Sequence, residues 1–163
     1  MTPEERNIIT AHQQELPVDV TALATALGLS VYESFEIPLG VSGMICREEN
    51  GESPSGYAIT VNAAEAYKRR RFTIAHECAH FLLHREKIGD GLSDNAMYRS
   101  PNVTTQEEFH ANNLAAEILM PRRLMNAAIA RGFAGARELA ERFEVSEPAM
   151  KVRLRYLYQL TDI

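Results

Sequence analysis

The chain has 163 residues, of which 45% are hydrophobic and 24% charged, with a formal net charge of −5 and two cysteines. This fits one soluble domain with a proper core and excludes the basic field that draws nucleic acid or an anionic membrane. Two cysteines make no disulfide framework, no apolar run approaches the roughly 20 residues of a membrane span, and the polar, acidic start Met1-Thr2-Pro3-Glu4-Glu5 is unlike a secretion signal, so the cytosol is the expected compartment.

Taken in order, residues 3–15 read as a helix, with Thr2 as N-cap, Pro3 at the first position and Pro17 as its breaker. Residues 18–27 form a second helix with Val20, Leu23, Ala24 and Leu27 on one face and Gly28 as its stop. Strands are predicted at 29–36, 43–47 and 57–61, the last being the clearest. The turn at 48–56 is rich in Gly, Ser, Pro and Asn. Short connections leave no room for crossover helices, so the expected sheet is small, three-stranded and antiparallel. Its strand 57–61 could take up an extended peptide as a sheet edge.

Residues 63–85 form the helix on which the chain is centred. It opens with the basic run Lys68-Arg69-Arg70-Arg71, which reads as a solvated face more readily than as a phosphate site. It then carries His76-Glu77-x-x-His80, the HExxH pattern of zinc peptidases. On a helix His76 and His80 stand one turn apart with Cβ atoms about 6 Å apart, so both imidazoles can reach one Zn²⁺. Glu77, about 100° around the helix, can reach a water there without being a ligand. Phe72, Ile74, Ala75, Cys78, Ala79, Phe81, Leu82 and Leu83 cover the rest of the circumference, as in a buried helix. The polar residues Arg69, Thr73, His76, Glu77, His80 and His84 share one stripe. Cys78 points away from it and reads as a small apolar core residue. Residues 86–103 form a long loop, in which Tyr98 and Arg99 are candidates for substrate or oxyanion contacts and equally for loop anchors.

Catalytic zinc takes three protein ligands, so one must come from elsewhere. On the next helix, 105–120, the candidates are Glu107, Glu108, His110 and Glu117. Glu108 shares a face with Asn112, Ala115 and Leu119, with Ala111 alongside, and the face packed on the HExxH helix should be the small, apolar one, which favours Glu108. Thr105-Gln106-Glu107-Glu108 also reads as a capping box, in which Glu108 would serve the backbone instead; His110 is the next candidate. Helices follow at 122–131, 135–143 and 147–160, with Ser146 as N-cap of the last. The final pair could be read as a DNA-binding helix-turn-helix, with Lys151, Arg153 and Arg155 facing DNA. Six basic against five acidic residues over 131–163 leave no electrostatic footprint. Leu139, Phe143, Val145, Met150, Leu154 and Leu157 fit helices that close the core, so direct nucleic-acid binding is not expected.

Arg71-Phe72-Thr73-Ile74-Ala75-His76-Glu77-Cys78-Ala79-His80 and Glu108-Phe109-His110-Ala111-Asn112-Asn113-Leu114-Ala115-Ala116-Glu117-Ile118-Leu119-Met120-Pro121 together resemble the ImmA/IrrE family of metallopeptidases. Ile59-Thr60-Val61-Asn62 and the stretch from Leu139 to Met150 look similar too, so the resemblance covers roughly residues 20 to 155. It implies an α+β, gluzincin-like zinc peptidase: a single domain over 1–163, with N-terminal helices (1–28), a zincin-like core (29–121) and a C-terminal helical, helix-turn-helix-like part (122–163). It further implies Zn²⁺ held by His76, His80 and Glu108, with Glu77 catalytic and Tyr98, Arg99 or His110 beside the substrate. The implied partner is a helix-turn-helix repressor, cleaved to switch on mobile-element or stress-response genes. The alternative is a regulatory module that keeps zinc and binds DNA or a repressor with little or no proteolysis. Cys78 stands where the family more often has Leu, and His110 leaves a second ligand candidate in play.

Overall fold

A computed structural model describes residues 1–38, 40–48, 52–89, 104–133 and 135–159. Side-chain caps fix where its first two helices begin. In α1, Pro3–His12, the Thr2 hydroxyl accepts the Glu5 N–H while the Glu5 carboxylate accepts the Thr2 N–H, which satisfies two orphan donors at once. In α2, Val20–Ala26, Asp19 accepts the Ala22 N–H, and Gly28 follows at φ 83°, a left-handed turn that glycine takes without cost. Both helices are shorter than the apolar pattern suggests.

The strands are β1 (Ser30–Ser34), β2 (Gly43–Arg47) and β3 (Tyr57–Asn62), in the order β1-β3-β2. The α+β class holds, but the sheet is mixed. β2 and β3 pair antiparallel across their turn, with Ile45 opposite Ile59, whereas β1 runs parallel to β3 with Val31 beside Ile59. A parallel pair needs a crossover of a dozen or more residues. Here the whole of β2 with its flanking turns is that crossover, so no helix is required. Contrary to the expectation from sequence, β3 is the central strand and is paired on both sides, so it cannot accept a peptide. The sheet edges are β1 and β2.

Helix α3, Tyr67–His84, packs on this sheet. A Cβ on Gly43 would lie 2.6 Å from Thr73 Cγ2 and 2.8 Å from the Thr60 carbonyl oxygen, so only a hydrogen fits where β2 meets the helix. Helix α4, Thr105–Leu119, packs extensively on α3. Fully buried Ala75 and Ala79 on α3, and Ala111 and Ala115 on α4, keep both surfaces low enough for close approach. No helix among the described residues is long and apolar enough to cross a membrane.

Helices α5 (Arg122–Ala130), α6 (Ala136–Arg142) and α7 (Glu147–Tyr158) complete the chain, and Leu139, Phe143, Val145, Met150 and Leu154 join the common core. Two buried arginines tie the last pair to the central helices. Arg71 on α3 donates to the Val18 carbonyl (2.9 Å) and the Glu144 carbonyl (3.2 Å), with the Glu144 carboxylate 3.7 Å away. Arg153 on α7, 3% exposed, donates to the Met120 carbonyl at 3.0 Å and to the Glu117 carboxylate at the end of α4. It therefore does not face outward for DNA. Changing Arg153 to Met should leave the Met120 carbonyl without its donor and lower stability by about 1–3 kcal/mol. Urea denaturation checks this; an unchanged midpoint would mean the bond adds nothing.

Candidate metal centre

The HExxH segment lies in the second half of α3, one turn after Thr73 meets β2. His76 and His80 turn their Nε2 atoms to each other at 3.0 Å, with ring centroids 4.6 Å apart and planes at 80°. From α4, Glu108 brings Oε2 to 3.5 Å from His76 Nε2 and Oε1 to 3.5 Å from His80 Nε2. Among the described residues, these three side chains form a group whose donor atoms all lie within 4.8 Å of one another.

The spacing suits one shared ion. Bonds of about 2.0–2.1 Å place neighbouring ligand atoms of a tetrahedral ion about 3.4 Å apart; the two Nε2 atoms are 3.0 Å apart, and each lies 3.5 Å from a different oxygen of the Glu108 carboxylate. The donor set of two imidazoles and one carboxylate suits zinc. Burial, then the neighbouring His76 and His84, hold the His80 imidazole down at about 4, so at neutral pH it is uncharged and has a lone pair to give. The Glu108 side chain is 30% exposed and that of His80 is 9% exposed, so the site is open on the α4 side and closed beneath. Glu77 is buried beside it. Burial, and then the charge of Glu108, push its carboxyl up to about 8. A cation there would favour the ionised form instead.

Helix capping explains why Glu108 is available. The N-cap is Thr104, one residue earlier than the sequence suggests, and the glutamate that completes the capping box is Glu107. Glu107 also pairs with Lys87, and together these contacts hold its carboxyl down at about 2. Glu117 is taken by Arg153. His110 is exposed on α4 and lies outside the donor group. Tyr98 and Arg99 lie outside the described residues.

The three arginines of the basic run serve structure. Arg69 reaches Ser42 (3.0 Å) and Glu65 (3.8 Å), Arg70 reaches Glu33 (2.7 Å), and Arg71 is buried. A cavity of about 350 Å³ beside them is lined by Asp19, Glu33, Arg70, Arg71 and Glu144 among others, and these two arginines are already paired. Cys78 is fully buried and burial raises its thiol, as expected of a core residue. The sequence places His84 on the polar stripe without a role; in the structure its Nδ1 lies 3.3 Å from that of His80.

Two histidines one turn apart on a buried helix, a glutamate between them and a carboxylate from the next helix are the ingredients metal-dependent peptidases use. Residues 13–155 match the family described as the IrrE N-terminal-like domain, peptidase family M78, and the chain belongs to that family. Among solved structures it is similar to a Mycobacterium tuberculosis transcriptional regulator, with a TM-score of 0.61 and 19% identity. That match covers 93% of this chain and 45% of the other, so the likeness is one of fold and this chain spans under half of that protein. A search of curated proteins gives no match.

Proposed function

We propose that the chain is a cytoplasmic zinc-dependent endopeptidase, folded as one domain, that cleaves a helix-turn-helix repressor at one or a few sites. The observation that carries the enzymatic part is the convergence of His76, His80 and Glu108, whose donor atoms lie within 4.8 Å of one another, with the buried Glu77 carboxyl beside them. Family membership supports the choice of substrate.

His76, His80 and Glu108 would hold the zinc. Bound there, zinc supplies Lewis acidity, which lowers the pKa of water to about 7 and polarises a carbonyl. Glu77 takes the proton of the attacking water and passes it to the departing amine nitrogen. Its burial keeps bulk water from competing for that proton. The substrate strand would be held by β2. Glu48 N–H bonds to the Gly56 carbonyl and Asn62 N–H to the Ser42 carbonyl, so even-numbered positions face β3 and Gly43, Ile45 and Arg47 face outward. Arg47 N–H donates to the Gly89 carbonyl. Among the described residues no partner takes the outward groups of Gly43 and Ile45, which would pair with a peptide alongside the helix that carries His76. On α7, Val152 and Tyr156 are 65% and 60% exposed and offer a docking face remote from the chemistry. Binding energy from such a face would make cleavage selective, because substrates lacking it lose rate as well as affinity.

The test is incubation with zinc against a panel of repressors from the same genome, with Glu77→Gln as control. The expected result is one or two discrete cuts in one repressor and little action on casein. Rapid digestion of unrelated unfolded proteins, with no preference for a repressor, would contradict the substrate assignment. Tight repressor binding without any cut would favour a regulatory module that keeps zinc.

A further inference from the structure

We propose that His84 is a positioning residue for His80: it accepts the His80 Nδ1–H and so holds that ring with its Nε2 lone pair toward His76 and Glu108. This rests on the metal-site reading above.

His84 lies one turn beyond His80 on α3 and is 8% exposed. The two Nδ1 atoms are 3.3 Å apart, with ring centroids at 5.5 Å and planes at 50°. An uncharged imidazole that gives Nε2 to a metal must carry its proton on Nδ1. A buried N–H of that kind needs an acceptor. In metal sites it is usually a carboxylate or a backbone carbonyl, which fixes both tautomer and ring orientation. Here the group that faces His80 Nδ1 is another imidazole nitrogen. For that nitrogen to accept, His84 must carry its own proton on Nε2. The polarity of the chain is then set: His84 Nδ1 accepts from His80 Nδ1–H, and His80 Nε2 is left as a donor of electrons.

Histidine suits this position for an electrostatic reason. The site already holds two carboxylates, Glu77 and Glu108. A third at position 84 would add a like charge beside a buried one and raise its cost. A neutral imidazole supplies the acceptor without the charge. The helix supplies the spacing, since residues four apart lie on one face. His76, His80 and His84 thus form one run along α3, two giving Nε2 to the site and the third bracing the second.

Two substitutions separate the hydrogen bond from packing. His84→Asn places an oxygen close to where Nδ1 sits and keeps the acceptor. His84→Leu fills comparable space and removes it. Zinc affinity of the full chain is read by competition with a chromophoric chelator, after circular dichroism has shown that each variant folds. His84→Leu is expected to weaken zinc binding about 10- to 100-fold, and His84→Asn to recover most of that loss. Equal affinity in parent and His84→Leu overturns the proposal, as does a folded His84→Asn chain as weak as His84→Leu. A parent chain that takes up no zinc overturns this proposal and the metal-site reading together, whereas zinc loss in His80→Ala with none in His84→Leu overturns this one alone. A measurement on the unmutated chain settles the case if either variant fails to fold. Long-range proton–nitrogen correlation in the zinc-loaded protein should show His80 protonated on Nδ1 and His84 protonated on Nε2. A His84 ring protonated on Nδ1 overturns the assignment.

Discussion

Changing Glu77 to Gln is expected to leave zinc binding intact and to lower peptide cleavage by about 100- to 10,000-fold. Gln keeps the shape of the side chain and removes its capacity to take a proton. Zinc uptake is read by chelator competition and cleavage by gel. A variant that cuts at the parent rate shows that Glu77 is not the base. The same substitution has a readout that needs no substrate. In metal-stripped protein the Glu77 carboxyl sits at about 8 against an ordinary 4.5. A raised value contributes stability that is fully present below 4.5 and is lost as the pH rises through 8. His80, held at about 4 against 6.5, works the other way: its contribution is present above 6.5 and lost as the pH falls through 4. The two offset each other in the acidic range, and of these two only Glu77 still changes between pH 6.5 and 8. The metal-stripped parent should therefore lose about 2 kcal/mol of stability across that window, and the Gln variant should not. Urea denaturation at the two pH values measures this.

Changing Glu108 to Ala should weaken zinc binding by at least as much as losing one of three protein ligands implies, while Glu107→Ala and Glu117→Ala should leave it close to the parent. The three glutamates share one helix, so the comparison holds helix, charge change and substitution constant. Glu107 is occupied by Thr104 and Lys87 and Glu117 by Arg153, and only Glu108 meets the two imidazoles. Their loss should show as altered stability instead, since a cap is worth about 1 kcal/mol. If His110→Ala is the variant that loses zinc, the third ligand is a histidine and the assignment of Glu108 is wrong.

Helix α3 and its HExxH spacing are legible in the sequence because their signal is local. His76, Glu77 and His80 are spaced within one turn and set in apolar surroundings, and both properties are written in consecutive residues. Glu108 was harder. Thr104 and Thr105 are adjacent and both can cap, so the capping box can be read one residue late, a competing reading in which Glu108 would serve the backbone instead of a metal. The contact that settles the register is Lys87 to Glu107, across 20 residues. The parallel pairing of β1 with β3 was hidden for a similar reason: the gaps between successive strands are short, and the relevant gap, from β1 to β3, contains a strand. Arg71 and Arg153 looked like surface charges on helices. Their burial depends on carbonyls at Val18, Glu144 and Met120, which no pattern within either helix reveals. His84 was visible on the polar stripe, but its role follows only from the side-chain nitrogen it turns toward.

The central claim is that His76, His80 and Glu108 make one zinc site. The most direct test is metal content after the protein has been stripped with chelator, exposed to zinc and dialysed. About one zinc per chain is expected in the parent and in Glu77→Gln, and none retained in His76→Ala or His80→Ala. A parent chain that stays metal-free with both histidines intact would contradict it.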